Sequence, residues 1–320
     1  MSPFNPDHPL LAWLLEGDVA IQYQVWRDLL DETRPELQAR IATEGWGAHF
    51  LRLRRPDGHW GQGFYRPKWT STHYTLLDLK QLAITPDHPA IRASVEEIAA
   101  TRKAADGGVN PSDAIKQSDV CINGMFLQYA AYFHLSPQAL RSIVDFLLEV
   151  QMPDGGFNCQ SNRGGAGHSS LHSTLSVLEG IAEYAHNGYT YRLEELQTVA
   201  EAGRAFILQH RLFRSDRTGA VIDPRFLMLS YPSRWRYDIL RALDYLRLVG
   251  QPDDSRLEDA LAALLGKRRV DGTWPLQARH PGQTHFEMEQ PGRSSRWNTL
   301  RALRVLGHFR PSALLNETLP

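Results

Sequence analysis

The segment VQMPDGGFN, residues 150–158, decides how the chain folds, because it recurs. RRPDGHWG (54–61), RKAADGGVN (102–110) and RRVDGTWP (268–275) carry the same punctuation: an Asp-Gly turn followed, one residue later, by Trp, Phe or Val. Their aspartates, Asp57, Asp106, Asp154 and Asp271, stand 49, 48 and 117 residues apart. The last step has room for two units, and a weaker copy, FRSDRTGAVIDP (213–224), lies inside it. The unit is thus about 50 residues long and occurs five times, with an N-terminal segment available as a sixth.

A helical pattern runs into and out of each turn. Downstream lie THYTLLDLKQLAI (72–84), DVCINGMFLQYAAYF (119–133), LHSTLSVLEGIAEY (171–184), WRYDILRALDYLRLV (235–249) and RWNTLRALRVLGHF (296–309). Their apolar residues fall on one face at helical spacing, as Leu76, Leu79 and Ala83 do. Upstream segments such as QALRSIVDFLLEVQ (138–151) are more charged and more one-sided, and strand-type alternation is nearly absent. Each unit therefore reads as a helical hairpin that cannot bury its apolar face alone, with the less polar helix turned inward. Such hairpins stack as an open solenoid or close into a ring, and the pattern alone does not choose.

Composition narrows the function. A 320-residue chain with 42% hydrophobic and 22% charged residues has length for a full core. The net charge of −1 gives no basic excess, so no nucleic-acid partner is expected. No apolar run reaches about 18 residues, so no transmembrane segment is expected. The N-terminus lacks the basic start and small-residue cleavage site of a signal peptide, and two cysteines make no disulfide framework. A cytoplasmic location is the expectation.

Aligned on their leucines, the starts of the five inner helices place His73, Cys121, His172, Arg236 and Trp297 at one position. In a ring these would meet at one mouth. Two His and a Cys have metal-ligand composition, and Asp119 stands two residues before Cys121. The plainer reading makes Cys121 a small buried filler, Asp119 a helix cap and His73 a solvent-facing helix-start residue.

The Asp-Gly turns and their period resemble those of the terpenoid-cyclase and protein-prenyltransferase superfamily. The stretch from WLLEGDVAIQYQVWRDLLD (13–31) to LRALRVLGHF (300–309) is similar to bacterial squalene-cyclase-like proteins. The resemblance implies an all-α fold, an α/α toroid of two concentric helical rings. It would be one domain over residues 1–320, with 1–45 closing the ring and 46–320 supplying five repeats. Asp119-Val120-Cys121, followed by Leu171-His172-Ser173 after 51 residues, is similar to the zinc site of prenyltransferase catalytic subunits. That implies Zn²⁺ held by Asp119, Cys121 and His172. Lys116 matches a lysine that helps hold the isoprenoid diphosphate, whereas Asp113 stands where the family pattern has an arginine.

The expectation from these residues is a zinc-dependent prenyltransferase-like enzyme with a hydrophobic or lipid substrate, of the isoprenoid-diphosphate kind. His73 would act as acid or base with Arg236 as a second catalytic group. Lys116, Arg234, Arg296 and Trp297 would bind substrate in an aromatic funnel, for which Trp60, Trp69, Phe126, Phe157 and Trp235 are further candidates. The family's two-subunit habit suggests a protein partner. The alternatives are a non-catalytic lipid- or peptide-binding toroid, and a metal-free cyclase relative using an acid such as Asp113 or Glu287. The Asp-x-Asp-Asp acid of type II cyclases and the Asp-Asp-x-x-Asp of ionising synthases are both absent.

Overall fold

The repeated turn builds the same lock four times. In this computed structural model, which describes residues 4, 8–112, 114–159 and 164–315, the turn glycines Gly58, Gly107, Gly155 and Gly272 have φ between 79° and 88°. That is left-handed backbone, which suits glycine and reverses the chain. The residue two positions on, Trp60, Val109, Phe157 or Trp274, is fully buried. Its backbone N–H donates to a side chain near the start of the next inner helix: Thr72 at 3.0 Å, Asn123 at 2.7 Å, Thr174 at 2.9 Å and Thr299 at 2.9 Å. The two tryptophans also send Nε1 back to the preceding helix, Trp60 to Phe50 O and Trp274 to Leu264 O, each at 2.7 Å. The weaker copy does not reproduce the pattern; there Asp216 accepts from Gln209 instead.

Helices α1 (Pro9–Leu15), α2 (Val19–Asp28), α3 (Pro35–Arg40) and α4 (Gly45–Arg52) open the chain. Then come α5 (Thr72–Gln81), α6 (Pro89–Thr101), α7 (Val120–Tyr132), α8 (Pro137–Glu149), α9 (Leu171–His186), α10 (Leu193–Gln209), α11 (Ile239–Leu248), α12 (Glu258–Leu265) and α13 (Arg296–Phe309). Helices α2, α5, α7, α9, α11 and α13 form an inner ring. Adjacent members are tied by Gln24 to Gln81 O (3.0 Å), by the packing of α7 on both α5 and α9, and by Arg241 to Glu179 (2.6 and 2.8 Å). Helix α13 packs on α11 and returns to α2, where Arg304 pairs with Asp28 and donates to Gln24 at 2.7 Å. The ring is closed, and the α/α toroid is the observed fold. The more charged helices, α6, α8, α10 and α12, bury one stripe each against it.

Strand pairs are few among the described residues. Trp274–Pro275 pairs antiparallel with Ser294–Ser295, so residues 276–293 form a flap anchored at its base. The flap lies over the N-terminal ends of the inner helices: Trp69 Nε1 donates to Pro281 O (2.6 Å), and Phe286 packs on Phe50 and stacks on His49.

The tightest seam joins α7 and α9. A Cβ built on Gly180 would stand 2.4 Å from Gly124 O, and one on Gly124 would stand 2.6 Å from Ser176 O. Both obstacles are backbone and cannot swing aside. Gly180→Ala is expected to lower stability by about 1–3 kcal/mol through forced separation of the helices. Gly164→Ala, with open space around it, should leave the thermal midpoint unchanged. Equal midpoints for the two variants would show that the seam is not strained.

Candidate functional site

Two cavities open on the ring. The smaller, about 490 Å³, lies under the flap and is lined by aromatic and polar groups, among them Phe50, Trp69, Tyr231, Arg234 and Asp78. Asp78 sits on α5 between leucines and is 3% exposed. Its Oδ1 has no hydrogen-bond partner. Burial pushes its carboxyl up to about 7, against the opposing pull of the Arg234 guanidinium. Arg234 is buried too, with left-handed φ of 54°, its guanidinium over the Trp69 ring at 4.6 Å and its Nε without a partner. His280 and His285 come down from the flap. Burial holds them neutral, at about 3 and about 4, with nearby arginines adding to the effect. His285 Nε2 meets Thr75 Oγ1 at 3.0 Å, while His280 Nε2 has no partner. A buried carboxyl, a buried guanidinium and a half-buried imidazole, each with an unpaired atom around one cavity, are the pattern of a site built for a ligand.

The residues expected to hold a metal are not brought together. Among the described residues no group of three or more His, Cys, Asp or Glu is arranged as a ligand set. His172 accepts the Tyr237 N–H at Nδ1 (2.8 Å) and packs edge-on against Phe226 and Trp235, toward α11. Cys121 faces Cys159. The Cys121 backbone N–H, an orphan donor at the start of α7, bonds Cys159 Sγ at 3.2 Å. Hydrogen bonds from Cys121 and Ser173 hold the Cys159 thiol below its ordinary value, while the bond to Cys159 and burial push Cys121 up. Asp119 occupies the N-cap position of α7. These residues do not fit a zinc centre as placed.

The other expected positions are scattered. His73 does not sit at a mouth: it is fully buried among Phe64, Tyr65, Tyr74 and Tyr129, held neutral at about 3 by burial, with Nδ1 on Tyr129 Oη at 3.2 Å. Arg236 is half-buried over the Trp235 ring. Lys116 is exposed on the loop before α7. The lysine that approaches Cys121 and Asp119 is Lys68, which also lies over Trp69 and Trp235 at 5.0 Å. Arg296 points outward, bonding Trp13 O at 2.9 Å, and so ties α13 to α1. Trp297 stacks on Tyr231 at 4.5 Å. Trp60, Phe126 and Phe157 are core residues. Glu287 is exposed and paired with Arg279, and Asp113 lies outside the described residues.

The larger cavity, about 920 Å³, occupies the funnel toward the C-terminal ends of the inner helices. Its wall is not the aromatic lining expected from the sequence. Arg241, Arg301, Arg304, Glu179, Glu183 and Asp244 all face it, with Trp297 also on its wall and Tyr231 lining both cavities. Sequence reasoning missed Asp78 and these arginines because it looked at helix starts. The available signal was a lone charge in an otherwise apolar run: Asp78 in LLDL, Arg301 and Arg304 in LRALRVL.

No family model and no curated protein matches the chain. Solved structures do. A polysaccharide lyase superposes with a TM-score of 0.52 at 14% identity, covering 94% of this chain and 91% of that one. A glycosyl hydrolase family 88 protein from Bacteroides vulgatus gives 0.50 at 11%, covering 91% and 89%. The type II terpene cyclase MstE from Scytonema gives 0.46 at 16%, covering 91% and 88%. At these identities the likeness is one of fold, the toroid that the repeats imply and the ring displays. No helix is long and apolar enough to cross a membrane.

The polarised thiol pair has a direct test. Brief treatment with iodoacetamide near neutral pH should alkylate Cys159 ahead of Cys121, read by peptide mass spectrometry, because the thiolate is the nucleophile. Ser173→Ala should slow the Cys159 reaction. Faster labelling of Cys121 would reverse the assigned polarity.

Proposed function

We propose that the chain is a metal-free acid–base enzyme of the terpenoid-cyclase-like kind, with Asp78 as the proton donor. The observation that carries this reading is the buried Asp78 carboxyl, its Oδ1 without a hydrogen-bond partner, facing a partly apolar cavity. A carboxyl with its acid form populated near neutral pH can deliver a proton, and Arg234 beside it favours the carboxylate left behind. The proton would pass to an alkene or epoxide of a substrate with an apolar body. The cation so formed would lie among the faces of Phe50, Trp69 and Tyr231, which attract positive charge. Loss of a neighbouring C–H proton to the neutral imidazole of His280 or His285 would leave an alkene, and return of that proton to the Asp78 carboxylate, directly or through solvent, would restore the resting enzyme. Atoms and electrons balance: one proton enters, one leaves, and no oxidant or reductant is needed.

The competing reading is zinc-dependent transfer through Asp119, Cys121 and His172. Elemental analysis of protein purified without chelator decides between them. Equimolar zinc that is lost in Cys121→Ala would replace Asp78 by a metal centre as the source of chemistry.

The acid itself can be tested without knowing the substrate. A carboxyl raised in the folded state contributes stability that is fully present below its unfolded value near 4 and is lost as pH rises through about 7. A rise of about three pH units, at about 1.4 kcal/mol each, corresponds to about 4 kcal/mol. Asp78→Asn should remove that loss. Denaturant unfolding of both proteins at pH 5, 6, 7 and 8 should show the variant gaining on the parent as pH rises. Parallel stability curves would mean that Asp78 is ionised throughout and is not the acid.

A further inference from the structure

The larger cavity contains a buried cation whose polar contacts are all long. Arg301 is 7% exposed and faces this chamber. Its guanidinium reaches Ser230 O at 3.4 Å and Asp244 Oδ2 at 3.8 Å. The neighbouring arginines are held much more closely. Arg241 grips Glu179 at 2.6 and 2.8 Å, and Arg27 grips Asp28 at 2.6 and 2.9 Å. Asp244 cannot close the gap, because its other oxygen is engaged by Arg247 at 3.0 Å and it also faces Arg304 at 3.8 Å. One carboxylate thus serves three cations.

Helix dipoles explain some of these arginines but not this one. Arg27 and Arg247 lie in the last turns of α2 and α11, where carbonyl ends attract positive charge. Arg301 lies in the middle of α13, beyond the reach of that effect. Four residues before it, on the same helix face, stands Trp297, 1% exposed, with no partner for its indole N–H. Across the chamber, Gln128 of α7 has an unpaired buried Oε1. Exposed His186 and Leu248 also line the chamber, so it is reachable from solvent.

We infer that this chamber binds a small organic carboxylate, with Arg301 as its anchor and the Trp297 indole N–H beside it. An oxyanion supplies the acceptor that the Trp297 indole N–H lacks and a closer counter-charge for Arg301 than Asp244 at 3.8 Å. A singly charged group fits better than a phosphate, because Asp244, Glu179 and Glu183 also face the chamber and repel a higher charge. Gln128 Oε1 would take a hydroxyl or amide of the ligand body. The inference does not rest on Asp78, which lines the other cavity.

The test is calorimetric titration with benzoate and, separately, with inorganic phosphate, chloride being adjusted to keep ionic strength constant. The expected result is saturable, equimolar binding of benzoate, tighter than phosphate. Arg301→Met should weaken it at least about tenfold, and Arg301→Lys, which keeps charge but loses the planar fork, by less. Both variants leave Asp244 with Arg247 and Arg304, so the ring keeps its ion pairs; circular dichroism checks folding, and should the methionine variant unfold, the lysine variant carries the test. Asp78→Asn should bind benzoate as the parent does, whatever its effect on turnover. No saturable benzoate binding, equal affinity in the Arg301 variants, or tighter phosphate binding would each overturn the assignment.

Discussion

The structure depends on one hydrogen bond made four times: a buried backbone N–H, two residues past an Asp-Gly turn, donating to a Thr or Asn near the start of the next inner helix. Each bond contributes only about 1 kcal/mol by itself. Its importance is geometric. It places a fully buried Trp, Val or Phe between the outgoing outer helix and the incoming inner one. Where the lock is lost, around residues 213–224, the chain uses other devices, including Tyr237 Oη on Leu212 O. The chain returns to its start, where Arg304 of α13 meets Asp28 of α2.

Ring closure explains why charge lies inside. In an open stack Arg301, Arg304 and Asp244 would face water. Closure turns the same faces toward a shared axis, where burying ions is costly unless they pair. Paired arginines and carboxylates therefore coat the C-terminal part of the funnel, and the same closure gathers Asp78, Arg234 and the flap histidines beneath residues 276–293. The funnel has two chemically different ends separated by the stacked Tyr231 and Trp297 rings.

The fold was largely legible in the sequence because punctuation and period are local properties. Asp-Gly followed by a large apolar residue specifies a turn, and a repeat of about 50 residues specifies a hairpin. The site was legible only in part. Arg234 and Trp297 were picked out as funnel residues and do face cavities. Aligning helix starts placed Cys121 and His172 one repeat apart, and they are equivalent along the chain. Equivalent positions on neighbouring helices need not point at each other: Cys121 turns to Cys159 in the following loop, and His172 turns to the backbone of Tyr237.

By itself the sequence determined the helical hairpin and the inward face of each inner helix. These follow from side-chain periodicity and from glycine's access to left-handed backbone. Only the tertiary structure decided that the ring closes, that the funnel is charged toward one end, and that Asp78 stands without a hydrogen-bond partner for Oδ1 while Arg301 stands without a close counter-ion. The reason is physical: a group's ionisation and its unmet hydrogen bonds depend on what surrounds it in space, and Asp78 and Arg234, which act on each other at the acid site, come from segments 156 residues apart.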